Sequence, residues 1–199
     1  MKIILILALV VLAVTACDEN NDISLNGENH ITENVRKMPE VTEKEVSLGE
    51  AETKILDTGI NRVSNITLAC ESINGTEIHS GEEFSFNKIV GKRSSERGYK
   101  DAPIIFHGEK SYGTGGGVCQ VSSTVYMAAL DAGMDITERH KHSESVAYAP
   151  GTDATVVYGE KDFKFKNNTD DTVHIYVWVQ EEKVCAKIVK IEYNLISNN

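Results

Sequence analysis

The sequence predicts an α+β domain: an antiparallel sheet around a central helix that starts at a glycine-rich loop and Cys119. Three observations give that class. Gly113 and Gly115 to Gly117 lead into Cys119, and beyond it Val121, Val125, Tyr126, Ala128, Ala129 and Leu130 recur at helical spacing up to Gly133. Four β-like segments close the chain, Asp153 to Tyr158, Asp162 to Lys166, Thr172 to Gln180 and Lys183 to Ile191. The stretch 58–199 carries no internal repeat and is long enough for one core, so helix and strands share it.

Taken in order, residues 1–16 hold Lys2 and then an unbroken apolar run, the length of an export signal and short for a membrane span. The run ends in Val14-Thr15-Ala16-Cys17, similar to the lipobox of bacterial lipoproteins, which makes residues 1–17 a lipoprotein signal and Cys17 the lipidated residue on the outer face of the cytoplasmic membrane. Residues 18–57 carry eleven acidic against four basic residues and few large apolar ones, so they read as an acidic flexible tether. Within that tether, 43–56 has the charge and periodicity of a short helix.

The domain proper is expected over 58–199. Its fifteen basic and nineteen acidic residues leave no footprint for nucleic acid. Residues 61–72 fit a helix or an apolar strand, and the alternation of Phe84 and Phe86 fits a half-buried strand. The charged, glycine-bounded 90–99 reads as a surface loop of the kind that carries binding. Residues 135–146 are polar and extended, which places His140 and His142 on one face. Thr172 to Gln180, apolar on both faces, belongs at the centre of the sheet.

Cys119 carries the chemical interest. A thiol at a helix N-terminus meets free N–H groups and the positive end of the helix dipole, which favour the thiolate and a developing oxyanion. The plain alternative is a buried cysteine acting as a small hydrophobe. Cys70 and Cys185 sit in apolar patterns and read as core residues or as a disulfide pair. A cysteine nucleophile needs a base and a group that orients it. His140 and His142 both follow the cysteine helix and Asp153 follows them, an order shared by several cysteine-enzyme families. The backbone N–H of Cys119 and the side chain of Gln120 are the candidate oxyanion donors. A zinc site from Cys119, His140, His142 and Asp153 is the competing chemistry, although no tightly spaced fourth ligand or metal motif accompanies it. No cofactor is called for.

Phe84-Ser85-Phe86-Asn87, Val90-Gly91-Lys92-Arg93 with Gly98-Tyr99, the run from Gly115 to Thr124, Arg139 with His142-Ser143, Asp153-Ala154-Thr155-Val156 and Asp162-Phe163-Lys164-Phe165 together resemble the VanW family. The resemblance runs from about Asn61 to Val179. It implies an exported or membrane-anchored protein of a Gram-positive bacterium and a role in cell-wall metabolism, with peptidoglycan or its precursors as partner and the lipid anchor holding it to the membrane. It selects His142 over His140 as the base beside Cys119 and Asp153. It also implies substrate binding by Arg93, Arg139, Gly116 and Gly117. Two readings of function stay open: a cysteine-dependent hydrolase or acyltransferase, and a non-catalytic cell-wall binding or assembly module associated with glycopeptide resistance.

Overall fold

The structure, a computed structural model, describes residues 40–106, 109–143 and 149–196. Cys17 and the expected export signal lie outside them. Alternating apolar residues build a four-stranded antiparallel sheet in the order β1-β9-β8-β2, with β1 Glu40–Lys54, β2 Thr76–Ile78, β8 Val173–Gln180 and β9 Lys183–Ile196. Val173, Ile175 and Val177 of β8 and Val184, Ala186 and Ile188 of β9 turn to the same buried face. The placement of 172–180 inside the sheet is as expected, and the class is α+β.

The expected tether ends earlier than its composition implied. Residues 40–54, acidic and read as tether with a short helix, form the longest strand and pair with β9 along its length. Burial alternates there, so glutamates project to solvent while Thr53 and Ile55 face the core. A strand needs only every second residue apolar, and average composition hides that pattern. Gly49 is required because a Cβ would run into the Ala132 backbone at the C-terminal end of the central helix.

Two helices pack on this sheet, α1 Ile60–Ile73 against β8 and α3 Val118–Asp131 against β1 and β9. The helical option for 61–72 is the one realised. α3 is buried almost all round, and its polar residues are satisfied: the Thr53 and Thr124 hydroxyls hydrogen-bond at 2.8 Å, and Thr124 also donates to the Gln120 carbonyl. Gly133, at φ 68°, follows its end.

A second, three-stranded sheet joins β3 Glu83–Ser85, β7 Lys164–Lys166 and β6 Asp135–Glu138. Phe84 and Phe86 are both fully buried, a correction to the half-buried strand: the strand ends at Ser85 and the chain turns into α2 Phe86–Val90. Asp162 enforces the turn by accepting from the Ser85 hydroxyl and the Asn87 N–H. The loop 90–99 contains one turn of 3-10 helix, Ser95–Arg97, and leads to the hairpin of β4 Asp101–Phe106 and β5 Glu109–Thr114. Residues 153–158 are not a strand: apart from a single bridge from Val157 to Lys161, they run as a loop across the start of α3.

Candidate active site

The glycine loop places Cys119. Gly116 is buried with its Cα facing the carbonyls of Ala102 and Pro103, where a Cβ would sit 2.7 and 2.8 Å from the oxygens, and Gly117 takes φ 108° against Arg62. Asn65 of α1 fastens the loop, donating to the carbonyls of Gly116 at 3.0 Å and Lys100 at 2.8 Å. The chain then enters α3 with Cys119 in the first turn. No acceptor for the Cys119 N–H is found among the described residues, and the first helical turn has no acidic residue to offset the dipole.

The loop 153–157 comes to the thiol because α3 holds it there. The Ser122 hydroxyl donates to the Ala154 carbonyl at 2.6 Å, and the Ser123 hydroxyl accepts from the Ala154 N–H at 3.0 Å. This double clamp brings the Val156 N–H to 3.5 Å from Cys119 Sγ and the Thr155 hydroxyl to 3.6 Å. Ser122 and Ser123 were read only as part of a motif. The signal that could have found them is two adjacent serines on a helix too buried to leave hydroxyls unpaired.

His142, half-buried, lies beside the sulfur. Its Nδ1 is 2.8 Å from Asp153 Oδ2, the same oxygen accepts the His142 backbone N–H at 2.7 Å, and the imidazole lies near enough to Cys119 for each to shift the other's titration. Asp153 Oδ1 receives Arg139 at 2.6 Å, and a second N–H of Arg139 reaches the Asp153 carbonyl at 2.6 Å. The structure thus brings Cys119, His142 and Asp153 together in series. It sets His142 and Asp153 on loops and not on neighbouring strands.

The electrostatics agree with the geometry. Burial works against ionisation of Cys119 and is the largest influence on it, yet the hydrogen bond from His142, with those from Val156 and Thr155, brings the thiol below its usual range. His142 moves the opposite way: burial disfavours its charge, but Cys119 and Asp153 raise its pKa. Asp153 is held low despite burial, by His142 and then Arg139. The three together favour a thiolate–imidazolium pair. Cys70 contrasts with this, since burial first, then Cys185 and Glu71, push it up to about 12. Both are free thiols, and no disulfide joins them: Cys70 is in the core, whereas Cys185 alternates with buried Val184 and Ala186 and turns to the other face of the sheet.

Three expected roles are corrected, those of Gln120, Gly116 and Arg139. Gln120 is buried with its amide donating to Thr53 Oγ1 at 3.1 Å and the Lys54 carbonyl at 3.0 Å, so it ties β1 to α3 and is no oxyanion donor. Gly116 is shut in by the carbonyls of β4 and cannot touch substrate. Gly117 stays half-exposed at the start of α3, with Arg62 and Ile66 where a side chain would point. Arg139 is committed to Asp153, with its guanidinium 5.4 Å from the centre of the Tyr126 ring, and positions the carboxylate. Arg93, half-buried, keeps part of its guanidinium free. The zinc alternative loses His140, whose ring meets Glu138 at 2.9 Å, and among the described residues no group of three or more His, Cys, Asp or Glu side chains could hold a metal ion.

The family model described as VanW like protein matches residues 61–189. The chain belongs to the VanW-like family. The matched stretch contains every residue of the Cys119 site and omits β1. The chain is 44% identical over 129 residues to YoaR, an uncharacterized protein of Bacillus subtilis, covering 64% of this chain and 43% of that one. It is 33% identical over 134 residues to the vancomycin B-type resistance protein VanW of Enterococcus faecalis, covering 64% of this chain and 49% of that one. The chain therefore spans less than half the length of these curated relatives. No solved structure matches it.

Proposed function

We propose that this chain is an exported, lipid-anchored cell-wall protein whose VanW-like domain works as a cysteine-dependent hydrolase or acyltransferase on peptidoglycan or its precursors. The supporting observation is that Cys119, at the start of α3, sits beside the hydrogen-bonded series His142, Asp153, Arg139, and that its thiol alone of the three described cysteines is lowered. In this reading the Cys119 thiolate attacks an acyl carbon of the wall peptide. The oxyanion that forms faces the unpartnered N–H of Cys119 and the positive end of the helix. The His142 imidazolium gives its proton to the departing amine, leaving an acyl thioester. Neutral His142 then takes a proton from water or from an acceptor amine as that group attacks the thioester. Asp153 fixes the ring through Nδ1 and leaves Nε2 for the sulfur.

Two further lines support the cell-envelope setting: the lipobox ending in Cys17, and the name of the enterococcal relative, which ties that protein to vancomycin resistance. A link of this chain to glycopeptide resistance is part of the proposal. The test incubates the protein with purified peptidoglycan fragments and searches the Cys119 peptide for an acyl adduct by mass spectrometry. An adduct or product in wild type, absent from Cys119→Ala, is expected. Retention on purified cell wall that is equal in both proteins, with neither adduct nor turnover, would leave the non-catalytic binding module. For the anchor, lipid-probe labelling and globomycin-sensitive processing are expected, and a Cys17→Ala protein that stays membrane-bound would refute it.

A further inference from the structure

Arg93 is a guanidinium only partly used by the protein. Its NH1 donates to Asn87 Oδ1 at 2.7 Å and to the Gly91 carbonyl at 2.8 Å, which uses two of its five N–H groups. Nε and NH2 have no acceptor among the described residues, and neither is sealed from solvent. Burial works against the Arg93 charge, and Cys119, then Tyr99 and Asp162, steady it; the Asp162 carboxylate is already occupied, since Oδ1 accepts from the N–H groups of Asn87 and Phe163 and Oδ2 accepts from the Ser85 hydroxyl. Arg97 adds a second positive charge, packed over Gly91. A half-buried cation with no carboxylate hydrogen-bonded to it, steadied by the Cys119 charge, still gains from a second anion at its open edge.

Its position relative to the thiol follows from the same hydrogen bonds. Asn87, which holds the Arg93 fork through Oδ1, donates from Nδ2 to the carbonyls of Val157 at 3.3 Å and Lys161 at 2.8 Å. Val157 follows Val156, whose N–H points at Cys119 Sγ. On the other side Arg93 packs against the glycine loop, where a Cβ on Gly115 would meet the Arg93 Cβ at 2.7 Å. Arg93 thus lies by the glycine loop and, through Asn87, by the 153–157 loop, near enough to Cys119 for the two charges to interact, while His142 and Asp153 are joined to each other and to Arg139.

We infer that Arg93 is the substrate-recognition residue of this site and binds a carboxylate carried by the substrate next to the acyl group that Cys119 attacks. The inference rests on the thiol-enzyme reading and names the feature its substrate must present. Planar guanidinium and carboxylate match in a two-bond fork, and the open Nε and NH2 edge is the one that makes it. A neutral acyl donor leaves those donors to water and loses that anchor.

Paired alkylating reagents test this without an assay for turnover. Iodoacetate and iodoacetamide react with the thiolate alike, forming a C–S bond and expelling iodide, but only the first carries a carboxylate one carbon from the reacting centre. The rate ratio of iodoacetate to iodoacetamide at Cys119, read by mass spectrometry of its peptide, is expected to exceed the ratio for free cysteine by about tenfold or more, one charge-assisted hydrogen-bonded contact. In Arg93→Gln the ratio should fall to that of free cysteine, a comparison of two reagents at one thiol that cancels any change in the ionisation of Cys119 itself. Because Arg93 also holds Asn87 and Gly91, a second measurement uses wild-type protein alone: acetate, and not acetamide at equal ionic strength, should slow iodoacetamide alkylation saturably. A brisk iodoacetamide reaction with no preference for iodoacetate and no acetate protection overturns the role of Arg93 and leaves the reactive thiol intact. A Cys119 no more reactive than Cys185 toward the neutral reagent overturns both readings.

Discussion

Replacing His142 by alanine tests whether the imidazole is what keeps Cys119 ionised. In the wild-type protein burial favours the neutral thiol, and the hydrogen bond and charge of His142 reverse that preference. Two unit charges about 4 Å apart attract by roughly 4 kcal/mol at an effective dielectric constant near 20, enough to outweigh partial burial. Without the ring, burial is opposed only by the Val156 N–H and the Thr155 hydroxyl, at 3.5 and 3.6 Å. An ordinary thiol titrates near pH 8.5 and is only about 3 % ionised at pH 7. The variant should fall to that level or below it, so alkylation by iodoacetamide at pH 7 should slow at least about tenfold. The sign differs for the two partners. Cys119, lowered, keeps its charge as pH falls until its own midpoint is crossed; His142, raised, keeps its charge as pH rises until its own is crossed. Wild-type alkylation should therefore persist well below the usual thiol range, and the variant should show a single rise at higher pH. The assay is the rate at the Cys119 peptide across pH 5 to 10. A profile that is unchanged, or displaced to lower pH, refutes the pairing.

Four more outcomes are expected. Gln120→Ala, which strips the amide from Thr53 and Lys54, should destabilise the fold by about 1–3 kcal/mol in denaturant melts, yet leave the alkylation profile of Cys119 in place; a collapse of thiol reactivity in a folded variant would restore the oxyanion role. Gly116→Ala forces a Cβ against two carbonyl oxygens and should lower the melting temperature by roughly 3–10 °C, from about 1–3 kcal/mol of strain; a melt equal to wild type would show that the loop is not packed against β4. Asp153 is depressed, so the stability it contributes is present above the ordinary carboxylate range and is lost as pH falls through its lower native midpoint; Asp153→Asn should flatten that acid limb in melts from pH 7 to pH 2, and an unaltered limb would count against the pair with His142. A protein beginning at residue 58 lacks β1 and should fail to fold, whereas one beginning at residue 40 should melt cooperatively by circular dichroism; equal melts would mean that the strand is dispensable.

How much of this was legible in the sequence varies by element. The helix after Cys119 was readable because its period and its glycine stop are local, and the strand at 173–180 because β-branched and aromatic residues on both faces have no other comfortable place. The order Cys119, His142, Asp153 was visible as a list, and the family resemblance chose His142 over His140. Distance was not visible: it depends on Ser122 and Ser123 gripping Ala154, which binds residues about thirty positions apart. Gln120 illustrates the limit. An amide next to a nucleophile suits an oxyanion hole, yet the turn of α3 aims it away from the sulfur and into the seam with β1.

The sequence by itself determined the local matters: the helix that starts at the glycine loop, the apolar alternation of the last strands, and the residue types a thiol site needs, because each is set by neighbours a few positions away. Only the tertiary structure decided that residues 40–54 of the acidic stretch form a strand, that Arg139 serves Asp153, and that Arg93 keeps an edge without an acceptor among the described residues. Those outcomes depend on which groups from distant segments satisfy one another's hydrogen bonds and charges once buried, a pairing that no window of sequence contains.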